Sequence, residues 1–139
     1  MNKLTVAQPR AYVGDPHVMS DDRSRLSIIF SMYESLVRRD QDGTYCPALA
    51  ESWALDDDAR TWTFKLRPGV TFHNGDKLES GDVVETLERV RDPGMGGELG
   101  TSGVYASYLD GTVFKALDKH TFEIVMAEPM ADLLDLIVD

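Results

Sequence analysis

A short run near the middle of the chain alternates strictly between apolar and polar side chains. The polar members are Thr61, Thr63, Lys65 and Arg67, and the apolar members between them are Trp62, Phe64 and Leu66. A period of two predicts a half-buried strand, because successive side chains of a strand lie on opposite faces of a sheet. Pro68 and Gly69 follow and predict the end of the strand. The apolar face therefore predicts a sheet with a hydrophobic core on one side.

Other β-rich runs supply partners for this strand. Residues Val113 to Leu117 and Thr121 to Met126 are separated only by Asp118-Lys119-His120, which predicts an antiparallel hairpin. Leu4 to Ala7 also has the β-branched residues and the period of a short strand.

Three segments have the spacing of amphipathic helices. The first runs from Asp22 to Val37, with Ser20 or Asp21 as its expected N-cap. The second begins at a cap on Ser80 or Gly81 and is stopped by Asp92-Pro93-Gly94. The third carries its apolar residues between Met130 and Val138. Hairpin-connected strands together with single helices predict an α+β fold with a mixed or antiparallel sheet covered by helices.

Length and charge limit the function classes. At 139 residues the chain is long enough for one domain with a hydrophobic core that needs no disulfide or metal. Its net charge of −10 disfavours binding to nucleic acid or to an anionic membrane surface. The residues after Met1-Asn2-Lys3 lack the apolar segment typical of a secretory signal peptide, and no stretch is apolar enough to cross a membrane. Cys46 is the single cysteine, and we interpret it as a small half-buried residue.

No motif of an enzyme or of a cofactor site is present in the sequence. The histidines are His17, His73 and His120, and none has the spacing of a metal site to another histidine, cysteine or acid. The glycines form neither a phosphate-binding loop nor a dinucleotide fingerprint, and no nucleophile elbow occurs. We therefore expect no catalytic residue, no metal and no cofactor. Trp53, Trp62 and Phe64 could form a stacking platform for a sugar, but Trp62 and Phe64 share a strand face and are more typical of core.

Several short motifs occur in one order along the chain: YESLV at 33–37, PALAESW at 47–53, the alternating strand ending in LRPGV at 66–70, FHNG at 72–75 and DVV at 82–84. In this order and spacing the chain resembles the peptide/nickel-binding family of solute receptors that deliver ligands to ABC importers, the bacterial extracellular solute-binding proteins of family 5. The resemblance extends from Leu4 to about Leu136. It is weakest between Asp92 and Gly111.

The resemblance implies a fold, an organisation and a function. Members of the family fold into two lobes around a cleft, and the chain is expected to be an N-terminal fragment of the first lobe. Residues 1–34 would be a strand and helix of the main lobe, 35–129 an accessory subdomain, and 130–139 the start of a returning helix. The implied function is capture of a peptide or similar small solute in the periplasm, or at the cell surface on a membrane anchor, for a permease and its ATPase. The alternative is a structural or interaction module derived from the accessory subdomain, with no ligand of its own.

The resemblance also implies candidate ligand contacts. In the family, the loop after the first strand and a later stretch of the first lobe line the cleft, which correspond here to Val18 to Arg23 and Ser102 to Tyr108. Met19 would give an adaptable apolar contact, Ser20 a hydroxyl, Asp21 a carboxylate for a peptide ammonium group and Tyr105 a stacking face. The structural alternatives are a helix cap for Ser20 and Asp21 and a partly buried surface position for Tyr105.

Overall fold

The computed structural model describes residues 14–16, 23–95 and 101–138. Within these ranges four helices and six strands follow one another along the chain. They are α1 (Arg23–Met32), β1 (Val37–Arg39), β2 (Tyr45–Pro47), β3 (Ala50–Leu55), β4 (Thr61–Leu66), α2 (Ser80–Arg91), α3 (Thr101–Tyr108), β5 (Val113–Ala116), β6 (Thr121–Val125) and α4 (Leu133–Ile137). A short 3₁₀ turn, Pro93–Met95, follows α2. The predicted strand at Leu4 to Ala7 lies outside the described residues.

A four-stranded antiparallel sheet is the centre of the structure. Its strand order is β3-β4-β6-β5, so the alternating strand β4 has a neighbour on each side. The predicted hairpin is confirmed, since β5 pairs directly with β6 and Phe114 lies opposite Ile124. The α+β fold predicted from the sequence is therefore confirmed.

The hydrophobic core lies on one face of this sheet. Phe64 and Phe122 are fully buried and stack with their ring centroids 5.0 Å apart. Helix α2 contacts β5 and β6 and buries Val83 and Leu87. The alternation seen in the sequence thus places one side of β4 in the core, as predicted, because burial of apolar area is the main favourable term in folding.

Helix α2 begins one residue earlier than predicted. The N-cap is Glu79, whose backbone N–H donates to Asp82 Oδ2 at 2.8 Å, and Ser80 is already the first helical residue. The expectation of a cap on Ser80 or Gly81 was therefore wrong. The buried Ser80 hydroxyl instead donates to the backbone carbonyl of Asp118 in the β5–β6 hairpin. The Ser80 side chain, which the local pattern predicted as a cap, therefore forms a long-range hydrogen bond instead.

The first helix is shorter than the sequence predicted. We expected it to continue to Val37, but α1 ends at Met32 and Val37 is the first residue of β1. The carbonyls of Ser35 and Leu36 accept hydrogen bonds from the N–H groups of Leu49 and Ala50. Backbone groups that are paired with a distant segment cannot also continue a helix. The predicted apolar stripe is likewise divided, since Ile29 is buried whereas Phe30 and Tyr33 are 54% and 53% exposed.

A small second sheet, formed by β1 and β2, lies beside the last described residues of the chain. Strands β1 and β2 pair antiparallel, and Val37 also forms a parallel bridge with Val138, which follows α4. Val37 and Leu133 are fully buried. In the part of the chain that the structure describes, no helix has both the length and the apolar character needed to cross a membrane.

Candidate functional site

Of the four predicted ligand contacts, only Tyr105 lies within the described residues. Met19, Ser20 and Asp21 fall outside them, so their roles stay predictions. Tyr105 is on α3, is half-buried and packs against the hydrophobic core. Tyr108, three residues further along the same helix, is 55% exposed. Tyr108 was not among the predicted contacts, because the apolar pattern of this short helix gives no signal that separates the two tyrosines.

An ion pair holds the segment Gly14 to Pro16 against α2. Nη1 and Nη2 of Arg89 both donate to the carboxylate of Asp15, Nη1 at 3.3 Å. The hydrogen bond that Arg89 donates to Asp15 raises the pKa of Arg89 above its ordinary value. Helix α2 therefore contacts both Asp15 and α3, the helix that carries Tyr105. The two partners are 74 residues apart in the sequence, which is why no local pattern predicted the pair.

A shallow depression of about 370 Å³ lies between the end of α2 and the end of α3. Its lining consists of Glu88, Arg91, Asp92, Pro93, Ala106, Asp110 and Gly111. Arg91 is already engaged, because it pairs with Glu88, donates to the carbonyl of Thr112 and lies 5.0 Å from the centroid of the Phe114 ring. The remaining carboxylates make this depression acidic, so it is suited to a cationic or hydrogen-bond-donating group.

A second depression, of about 520 Å³, lies at the end of α1. Phe30, Met32 and Tyr33 line it with Arg38 and Ala48. Phe30, Met32 and Tyr33 are also the exposed apolar side chains at this end of the molecule. A cluster of exposed aromatic and apolar side chains is typical of a surface that packs against further protein.

The described residues offer no metal site. No group of three or more His, Cys, Asp and Glu side chains in the described ranges is placed to hold an ion. His73 lies on an exposed turn in which the N–H of Phe72 donates to the carbonyl of Asp76 at 2.8 Å and Asn74 Oδ1 accepts from the N–H of Asp76 at 3.0 Å. Gly75 in this turn has a φ of +93°, a conformation that favours glycine.

The described carboxylates with perturbed acidity stabilise turns and a helix start. The side chain of Lys119 lowers the pKa of Glu79 through a hydrogen bond of 2.7 Å. The backbone N–H of Arg60 lowers the pKa of Asp58, and that of His120 lowers the pKa of Asp118. A general acid needs a raised pKa. Hydrogen bonds instead favour the ionised form of these three groups.

Comparison with known proteins assigns the family. Residues 44–139 match the family model of bacterial extracellular solute-binding proteins, family 5 Middle. This match covers more than half of the chain, and the chain belongs to this family, as its motifs predicted. The family and the relatives below are solute-binding transport proteins, which makes this a class of binding proteins rather than of enzymes.

Individual relatives bind different solutes. The chain is 35% identical over 103 residues to the periplasmic oligopeptide-binding protein OppA of Haemophilus influenzae, covering 74% of this chain and 17% of that protein. It is 41% identical over 93 residues to the nickel-binding periplasmic protein of Escherichia coli K12, covering 66% of this chain and 17% of the relative. It superposes with a TM-score of 0.73 and 32% identity on MoaA of A. tumefaciens R10, solved with mannopinic acid, covering 88% of this chain and 24% of that one. The chain therefore spans between about a sixth and a quarter of the length of these proteins.

Proposed function

We propose that this chain is part of the substrate-binding component of an ABC importer that captures a peptide. The observation that carries the proposal is the family match over residues 44–139 together with the similarity to an oligopeptide-binding protein over 74% of the chain. The partners of such a component are a membrane permease and its ATPase. Because the named relatives are periplasmic, we propose the periplasm, or the outer side of a membrane-anchored cell surface, as the location.

We further propose the division of the chain that the family pattern implies: residues 1–34 in the main lobe, 35–129 as an accessory subdomain and 130–139 as the start of the returning segment. Two features of the structure support this division. The four-stranded sheet and α2 lie between the proposed boundaries, although the core also includes Leu133 and Leu134 beyond residue 129. The exposed side chains of Phe30 and Tyr33 lie just before the first boundary, where a subdomain would adjoin its lobe.

The acidic depression beside α3 is compatible with the ammonium group or the N–H donors of a peptide, which supports the proposal. In a receptor of two lobes, closure fixes the two ends of a ligand from both sides and removes water around them. A single lobe would leave the same contacts in water, where each is weak.

The experiment compares the product of the complete reading frame with the 139-residue chain. Both are screened by thermal shift against di- to pentapeptides, nickel–histidine, glutathione and mannopinic acid. We expect peptides to raise the melting temperature of the complete product and to leave the 139-residue chain unchanged. Micromolar binding by the 139 residues alone would show that they hold a complete site. No response from the complete product to any solute would favour the interaction module instead.

The predicted contacts are tested with peptides that differ in one group. If Asp21 binds the ammonium group of a peptide, Asp21→Asn weakens binding of a free tripeptide and leaves that of its N-acetylated form unchanged. If Tyr105 stacks on the ligand, Tyr105→Leu weakens both, and Tyr108→Leu, an exposed position on the same helix, serves as the matched control. Equal losses at Tyr105 and Tyr108 would contradict a specific contact. Met19→Ala and Ser20→Ala complete the set.

A further inference from the structure

Two side chains of the β1–β2 hairpin, Arg39 and Tyr45, meet Asp135 of α4. Arg39 Nη2 donates to Asp135 Oδ1 and, at 2.8 Å, to the hydroxyl of Tyr45. The Tyr45 hydroxyl in turn donates to the same Asp135 oxygen at 2.5 Å. The Arg39 guanidinium carbon also lies 4.9 Å from the centroid of the Tyr45 ring. The result is a closed triangle in which one carboxylate oxygen receives two donors.

The backbone beside this triangle connects the same two segments. Val37 forms its parallel bridge with Val138, and the N–H of Val138 donates to the carbonyl of Leu134 at 3.0 Å. Just before β1, the hydroxyl of Ser35 donates to the carbonyl of Val37 at 2.7 Å. A single bridge thus joins the first strand of the unit to its last described residues.

The polar contacts of the triangle are fewer and more exposed to solvent than the contacts of the main sheet, although Val37 and Leu133 nearby are buried. The side chains of Arg39 and Asp135 are 39% and 55% exposed, so their attraction is screened by water. Strands β3, β4, β6 and β5, by contrast, pair along their length over a core of buried aromatic residues. Regions with few buried contacts open at lower free energy than the global unfolding of a protein.

We propose that Arg39, Tyr45 and Asp135 form a latch that closes the junction between the β1–β2 hairpin and residues 135–138, and that this junction opens while the four-stranded sheet stays folded, with Leu133 and Leu134 still in the core. The carboxylate oxygen of Asp135 is the common acceptor for both donors, so loss of its charge weakens both contacts at once. The latch concerns the coupling of two segments of the chain and does not depend on which ligand the protein takes.

The latch is tested by amide hydrogen exchange in the 139-residue chain. We expect Asp135→Asn to speed the exchange of the Ile137 and Val138 amides by about twofold to tenfold, since it removes one exposed ion pair and one charge-assisted hydrogen bond. Exchange at Phe64 and Phe122, in the centre of the sheet, should stay unchanged. Tyr45→Phe keeps the aromatic ring under Arg39 but removes the hydroxyl, so we expect a smaller acceleration at the same amides.

Two further variants separate a latch from a general loss of stability. Glu128→Gln also removes an exposed carboxylate from an ion pair, with Arg60 at 3.5 Å, and should leave the Ile137 and Val138 amides unchanged. Arg39→Gln combined with Asp135→Asn should accelerate exchange no more than Asp135→Asn alone, because both changes open one shared contact. Unchanged exchange in Asp135→Asn, or equal acceleration at Val138 and Phe64, would overturn the proposal.

Discussion

Replacing Trp62 with alanine is the most direct test of the core. Trp62 is 5% exposed, lies on the central strand β4 and stacks on Phe64 with ring centroids 6.2 Å apart. Its indole N–H donates to the carbonyl of Met130 at 2.8 Å. Trp62→Ala therefore removes a large buried ring and leaves a part-buried carbonyl without this donor.

The expected loss is about 3–5 kcal/mol of the free energy of unfolding, as for other buried aromatic side chains truncated to alanine. With a urea slope of about 2 kcal/mol/M, in the middle of the range for small proteins, this lowers the denaturation midpoint by roughly 1.5–2.5 M. Equilibrium unfolding in urea, followed by circular dichroism, measures the shift. Circular dichroism is preferred to fluorescence because the substitution removes one of the two tryptophans.

Two further variants separate the contribution of the buried Trp62 ring from that of its hydrogen bond and from changes on the opposite face of the strand. Trp62→Phe keeps a ring but loses the hydrogen bond to Met130, and we expect a loss of about 1–2 kcal/mol. Lys65→Ala, on the opposite face of the same strand, should change stability by no more than about 0.5 kcal/mol, as at other exposed positions. An unchanged midpoint for Trp62→Ala would refute the core assignment and return the stacking platform as the better interpretation of this aromatic strand.

Three other predictions follow from local features. The pKa values of Asp58, Glu79 and Asp118 are lowered in the folded state, so these carboxylates stabilise the fold above the pKa values of the unfolded chain. This stabilisation is lost as the pH falls below about 4. Thermal melts at a series of pH values would detect the loss, and a melting temperature that does not change with pH would contradict it. Gly75→Ala should destabilise the protein by about 1 kcal/mol, because the φ of Gly75 is +93°. Gly81→Ala, in α2 with open space around it, should stabilise the protein by up to about 1 kcal/mol. Chemical denaturation measures both changes in the free energy of unfolding, and changes of the same sign would contradict the prediction. The 139-residue chain should unfold cooperatively by heat, and a broad transition with strong binding of a hydrophobic dye would contradict independent folding.

The elements that the sequence predicted well are those whose signal is local. The alternation around Trp62 and Phe64 correctly predicted β4. The short Asp118-Lys119-His120 connection between two β-rich runs correctly predicted the β5–β6 hairpin. Burial of one strand face and closure of a short turn involve neighbouring residues only, so both can be read without a tertiary structure. The family motifs gave the class of protein for the same reason, because their order is a property of the chain alone.

The site could be predicted only in part. The family pattern indicates where a ligand would lie, but Met19, Ser20 and Asp21 fall outside the described residues, and Tyr105 is a half-buried packing residue whose ligand role is still a prediction. The acidic depression beside α3 and the pair of Asp15 with Arg89 were not predicted. Both arise where distant segments meet, and no short-range pattern encodes such a meeting.

The sequence by itself determined the α+β class, the strand alternation and the family, while the tertiary structure decided where elements end and which polar groups pair. The apolar spacing up to Val37 favoured one long helix, yet the carbonyls of Ser35 and Leu36 are taken by Leu49 and Ala50, and Val37 is buried in a strand instead. Helix propensity differs between residues by only a few tenths of a kcal/mol, so a buried strand with paired backbone groups outweighs it.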